Sequence, residues 1–168
     1  MADRADFDGF VAARSRALLS AAWLLTGDRH RAEDLLQSAL AKAYLAWQRI
    51  GEGREEAYVR RVLVTTYASW WRRAWRGERP TAAVPETVDA ADPTGAVDLR
   101  LSLLAALDHL TRGQRAVVVL RYYCDLSEAE TAEALGCSMG TVKSQAAKGL
   151  ARLRRTDLAD RIHEGSPR

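Results

Sequence analysis

The stretch RPTAAVPETVDAADPTGAVD, residues 79–98, holds three of the four prolines in a chain of 168 residues and almost no large apolar side chain. Such a composition reads as a tether, because it cannot sustain a helix and has nothing to bury. On either side of it apolar residues recur at intervals of three and four, and strand-type alternation is nearly absent. The expectation is an all-α chain of two small helical domains, about 1–79 and 97–157. A flexible linker at 80–96 joins them, and HEGSPR forms a frayed tail. Helices are predicted near 5–26, 29–49, 55–77, 98–109, 112–124, 128–135 and 139–155, with TGD (26–28) and IGEGRE (50–55) as breaks. AVVVL (116–120) is β-branched but sits in a helical frame. Thr111 and Gln114 stand before it at capping-box spacing, so it is read as a buried helix.

Charge follows the same division. Residues 1–79 carry 14 Lys/Arg against 10 Asp/Glu, and residues 100–168 carry 11 against 8, while 80–99 hold four acids and no base. Two mildly basic blocks flanking an acidic joint point toward nucleic acid, although a GC-rich genome also produces Ala/Arg-rich chains. The two cysteines, Cys124 and Cys137, fit no metal-ligand spacing and are read as small half-buried thiols of a reducing cytosol. No metal or cofactor is expected. The acidic N-terminus MADRADFDGF is unlike a signal peptide. No run approaches the ~18 apolar residues of a membrane span, so a cytoplasmic, nucleoid-associated protein is expected.

ETAEALGCSMGTVKSQAAKGLARLRR (130–155) reads as a helix-turn-helix. Ser127 caps the first helix, with Glu130 at N3 completing a capping box, and Gly136 suits the left-handed position that ends it. Ser138 caps the second helix. At ~100° per residue, Val142, Ala146, Gly149, Leu150 and Leu153 share one side. Thr141, Ser144, Gln145, Lys148 and Arg152 share another. Small polar groups followed by cations suit a helix that reaches base edges with its first turns and holds phosphates with later ones. The plain alternative is an amphipathic surface helix, and the motif alone does not say which class of regulator carries it.

The segment EEAYVRRVLVTTYASWWRRAWRGERP (55–80) separates the classes. Three of the five tryptophans fall within six residues, interleaved with arginines. On a helical wheel Arg61, Thr65, Ser69, Arg72, Arg73 and Arg76 occupy an arc of roughly 120°. Val59, Leu63, Tyr67, Trp70 and Ala74 lie opposite, with Val64, Trp71 and Trp75 toward the boundary. Trp70 is expected in the core. Cations beside an aromatic edge suit unstacked bases, each worth roughly 1–3 kcal/mol when stacked. The preceding segment DLLQSALAKAYLAWQRI (34–50) shows a small, weakly charged face of Asp34, Gln37, Ser38 and Ala41. That face fits a protein partner better than DNA, or is an ordinary solvated face.

Taken together, AEDLLQSALAKAYLAW, AYVRRVLVTTYASWWRR, the proline-bearing linker and RAVVVLRYYCDLSEAETAEALGCSMGTVKSQ resemble the extracytoplasmic-function (ECF) sigma factors of RNA polymerase, in their small two-domain actinobacterial form. The resemblance runs from Phe7 to Arg155. It implies that 1–79 is sigma region two and that the helix carrying Asp34, Gln37, Ser38 and Ala41 docks on the clamp helices of the polymerase's largest subunit. It implies that the Ile50–Glu56 loop and the following helix, with Arg61, Thr65, Ser69, Arg72, Arg73 and Arg76, bind and melt the minus-ten promoter element. Ser38, Thr65 and Ser69 depart from residues common in the family. Region four would dock on the polymerase flap and place Thr141, Ser144, Gln145, Lys148 and Arg152 in the minus-thirty-five groove. An anti-sigma factor is a further partner the resemblance implies.

Two rival readings are weaker. A stand-alone helix-turn-helix regulator needs a ligand-binding, receiver or dimerisation domain, and residues 1–79 resemble none. An enzyme needs a metal cluster, a nucleophile elbow or a phosphate-cradling glycine loop, and none is present in the sequence.

Overall fold

A computed structural model describes residues 4–75 and 95–155, with side chains at 4–74 and 101–155. Residues 80–94 of the predicted linker, Arg76 and the C-terminal tail lie outside the described residues, while 95 and 96, placed in that linker by the sequence, open a helix. The chain divides into two compact units, Met1–Ala83 and Val84–Arg168. All regular structure among the described residues is helical.

The first unit consists of α1 (Arg4–Thr26), α2 (Arg29–Ala46), which continues as a 3-10 turn over Trp47–Arg49, and α3 (Glu55–Trp75). Between α1 and α2 the chain reverses at Gly27, whose φ of 73° is left-handed backbone that glycine adopts without strain. Asp28 then caps α2, its carboxylate accepting from His30 N at 2.7 Å and Arg31 N at 3.3 Å. The helix packs α1 on one side and α3 on the other. Leu18, Leu25, Leu35, Val59 and Leu63 are fully buried between them. Lys42 Nζ donates to Thr66 Oγ1 at 3.0 Å and ties α2 to α3. Arg14 and Arg60 both reach Glu56, at 3.4 and 3.1 Å, tying α1 to the start of α3.

One expectation for α3 is overturned. Trp71 is buried and Trp70 only half-buried. In the first half of the helix burial centres on Val59, Leu63 and Thr66, and in the second on Tyr67, Ala68 and Trp71. The buried arc drifts around the helix, carrying Trp71 inward and Trp70 toward the edge. A wheel of fixed angle assumes parallel packing and cannot show such a drift.

The second unit is built from α4 (Gly95–Asp108), α5 (Arg112–Val118), α6 (Glu128–Leu135) and α7 (Met139–Arg154). Thr111 and Gln114 form the predicted capping box. Helix α5 ends differently from expectation, in a π-helical turn over Val119–Tyr123, with Cys124 N bonded to Val119 O at 3.0 Å. The wider turn leaves Leu120 fully buried while Tyr122 and Tyr123 face outward. Asp125, at φ 56°, closes it in the left-handed region, which aspartate tolerates better than most residues. Cys124 and Cys137 are both half-buried, and burial pushes the Cys137 thiol up from its ordinary value, which keeps it protonated.

Capping sets the start of the helix-turn-helix. Ser127 Oγ accepts from Glu130 N at 3.0 Å, and Glu130 Oε2 accepts from Ser127 N at 2.7 Å. These bonds to the charged form hold the Glu130 carboxyl below its ordinary value. A depressed folded-state pKa stabilises above the ordinary carboxylate range and loses that contribution as pH falls through the folded value. The C-terminal unit should therefore weaken on acidification, and Glu130→Gln, which keeps an acceptor, should flatten that slope in thermal melts taken across the acid range. Ser127→Ala should cost about 1 kcal/mol at neutral pH. A melt of S127A superimposable on wild type would remove the cap from the account.

Candidate nucleic-acid and partner surfaces

Helix α3 opens after a loop in which Gly53 takes φ 78° and Arg54 N bonds to Gly51 O at 3.0 Å. From that start Arg61, Thr65, Arg72 and Arg73 stand exposed and Ser69 half-exposed along one side. Thr65 Oγ1 donates to Val62 O at 3.1 Å, leaving its lone pairs available as acceptors. Among the described residues no acidic side chain pairs with Arg61, Arg72 or Arg73. Their neighbour Arg60 behaves differently, since it is held by Glu56 at the hinge with α1. Adjacent arginines thus have different work: Arg60 braces the fold, and Arg61 presents an uncommitted charge. Trp70, half-buried, keeps part of its ring open to solvent, whereas Trp71 is buried.

The outward stripe of α2 carries Asp34, Gln37 and Ala41 exposed and Ser38 half-buried. The face expected from the sequence ends at Ala41. It continues one turn further to Leu45, 80% exposed, and Tyr44, 47% exposed. Extending the three-and-four spacing from Asp34 would have found both.

On α7 the inward side is Val142, Ala146, Gly149 and Leu153, all buried, with Leu150 half-buried. Ser138 caps the helix by accepting from Thr141 N at 3.1 Å, and its hydroxyl meets Thr141 Oγ1 at 3.0 Å. Thr141, Ser144 and Lys148 are exposed as expected. Arg152 is exposed as well and Gln145 half-buried, and both also meet other parts of the unit. A Cβ on Gly113 would lie 3.7 Å from Gln145 Cδ, and Gln145 Oε1 is shielded from solvent with no hydrogen-bond partner among the described residues. Arg152 Nη1 donates to the carbonyl of His109 at 3.1 Å. Both lie on the flank of α7 next to Gly149, where the elbow between α4 and α5 packs. Directly opposite the buried side stand Ser144, Lys148, Ala151 and Arg155, all exposed. Arg155, seven residues beyond Lys148, extends that face, and the sequence reading left it out.

No group of three or more His, Cys, Asp or Glu among the described residues could hold a metal ion, and no helix there is long and apolar enough to cross a membrane.

A basic helical unit followed by a capped helix-turn-helix has counterparts among known proteins. The family description Sigma-70 region 2 matches residues 10–77, and Sigma-70, region 4 matches 100–153. The chain is 43% identical over 155 residues to the RNA polymerase sigma-E factor of Streptomyces coelicolor, covering 92% of this chain and 87% of that one. It is 34% identical over 157 residues to the ECF RNA polymerase sigma factor SigM of Mycobacterium tuberculosis, covering 91% and 78%. In fold it resembles the sigma factor RpoE of Bartonella quintana, solved with the anti-sigma factor NepR, at TM-score 0.56 and 23% identity, covering 92% and 98%. It also resembles CnrH, solved with the cytosolic domain of CnrY, at TM-score 0.51. With both regions matched in order and a close relative aligned over nearly its whole length, this chain belongs to the ECF sigma factors of RNA polymerase.

Proposed function

We propose that the first unit joins core RNA polymerase through the Asp34–Ala41 side of α2 and holds the minus-ten element, once melted, against the Arg61–Thr65–Ser69–Arg72–Arg73 side of α3. Residues 80–96 serve as a tether, and Arg76 adds to the minus-ten contacts. The second unit places Thr141, Ser144 and Lys148 against the minus-thirty-five element and rests on the polymerase flap. The observation that carries this reading is the arginine face of α3, uncommitted to any acid among the described residues. A stand-alone regulator has no use for it, and a single strand needs both cations and an aromatic border.

Each unit alone should bind DNA weakly. Polymerase fixes the spacing of the two, and the tether then supplies the second contact at high effective concentration. The sigma factor RpoE of Bartonella quintana is solved with the anti-sigma factor NepR, and a partner of that kind is proposed here as well, with action in the cytoplasm at the nucleoid. No cofactor and no catalytic residue enter this reading.

The deciding test adds the purified chain to sigma-free actinobacterial core polymerase with a pooled genomic promoter library. Stable association and new, discrete start sites are expected. Tight duplex binding without polymerase, and no association with core, would overturn the assignment.

Salt titration of minus-thirty-five binding separates contact from support on α7. Lys148→Ala should lower the slope of log K against log salt by about 0.9, the value of one phosphate contact. Arg152→Ala should lower the slope by less, because part of its guanidinium is held on the His109 carbonyl. A slope that falls with R152A and stays with K148A would reverse the two roles.

A further inference from the structure

Helix α2 buries its leucines with one exception. Leu35, Leu36 and Leu40 are no more than 8% exposed, whereas Leu45 is 80% exposed, the most open of the large apolar side chains described. Its position is not random. Asp34, Gln37, Ala41 and Leu45 follow one another at three and four residues, which sets them in one stripe along the helix. Eleven residues at 1.5 Å each separate Asp34 from Leu45, about 16 Å or three turns.

Helix ends usually fray, and a frayed end would make an exposed leucine unremarkable. This end is braced. The chain continues without a break into the 3-10 turn Trp47–Arg49, and Trp47 is buried beneath Phe7 and Phe10, with ring centroids 5.0 and 5.2 Å away. Phe7 also meets Tyr44 edge-on at 5.1 Å. Four aromatic rings thus hold the last turn of α2 in place, and Leu45 projects from a rigid platform beside half-exposed Tyr44. Such a side chain costs little ordering entropy when a partner covers it, which is the property of an interface anchor.

We infer that Leu45 is the apolar anchor of the polymerase-docking face and that Asp34, three turns away, is its polar end. The inference rests on the proposed reading that this side of α2 meets core polymerase. It further specifies the partner surface: a basic group to receive Asp34 and, about 16 Å along, an apolar pocket to receive Leu45. Asp34 is the only charge among the four stripe residues, so apolar burial supplies the larger part of the grip and the single charge sets register.

The test measures affinity of the full chain for sigma-free actinobacterial core polymerase by competition. Leu45→Ala should weaken it about tenfold or more, the usual loss at an anchor position. Leu45→Met, similar in volume, should return it to within about threefold of wild type. Melting temperature and minus-thirty-five duplex binding of both variants should match wild type, because the side chain is exposed and belongs to the first unit, whereas the minus-thirty-five face belongs to the second. Wild-type affinity in L45A, with loss in Asp34→Ala, would overturn the anchor and leave the docking face intact. Failure of the unmodified chain to bind core would instead sink the reading beneath it. Light scattering of wild type and L45A at high concentration adds a last arm: a dimer lost in L45A, with core affinity unchanged, would show that Leu45 serves a second copy of the chain and overturn the inference.

Discussion

Replacing Gly149 with valine is expected to lower the melting temperature of the C-terminal unit by about 10 °C and to weaken minus-thirty-five binding. Gly149 is buried in the middle of α7, where a Cβ would stand 2.8 Å from Val118 Cγ2 and 3.5 Å from Gln114 Cβ. Real Cβ atoms do not approach so closely, and Val118 is a stiff, branched side chain that is itself buried. The helices must separate or Val118 must leave its rotamer, at about 2 kcal/mol. For a unit of this size that corresponds to about 10 °C. The helix-propensity gain of leaving glycine works the other way, and for valine it is only a few tenths of a kcal/mol. Calorimetry of the full chain reads the effect directly. Val118→Ala should relieve it, so the double variant should melt above the temperature expected from adding the two single losses. Additive losses would mean that the two side chains do not meet.

Arg61→Ala should impair promoter opening about tenfold or more while leaving assembly with polymerase and minus-thirty-five binding unchanged. Arg61 is exposed and meets no acid among the described residues, so its loss spares the fold. On the proposed reading the variant loses one charge-assisted hydrogen bond to the melted strand, worth about 1.5–3 kcal/mol, and each 1.4 kcal/mol is tenfold. Permanganate reactivity of the unpaired thymines in a reconstituted complex measures the bubble. Arg60→Ala makes the sharp comparison, one residue away. Its guanidinium is committed to Glu56, in a half-exposed pair of modest worth, so opening should remain near wild type. Equal defects in R60A and R61A, or normal reactivity in R61A, would remove Arg61 from the strand.

Much of this is legible in the sequence, and the reason is locality. Caps act within four residues. The boxes Thr111–Gln114 and Ser127–Glu130, Gly136 in the left-handed position and Ser138 before α7 each satisfy backbone groups in their own turn. Their positions in the chain therefore announce where helices begin and end. The division into two units was equally plain, because a proline-rich acidic stretch has no apolar surface to bury, and the arginine spacing along 55–76 already gave α3 a polar side.

What only the tertiary structure decided is which member of each neighbouring pair does which job. Trp70 and Trp71 have the same chemistry, and the drift of the packing seam along α3 selects Trp71 for the core. Arg60 and Arg61 are adjacent and identical, yet Glu56 and Arg14 lie on the side that claims Arg60. Gln145 and Arg152 belong to the polar side of α7 by period, but the α4–α5 elbow packs against that flank and engages both. Leu45 looks like one more apolar residue of an amphipathic helix until its braced, exposed place is known. Sequence determined the helices and their punctuation through interactions within a turn. The division of labour among side chains depended on which helices meet and at what angle, and that is set by packing between residues far apart in the chain.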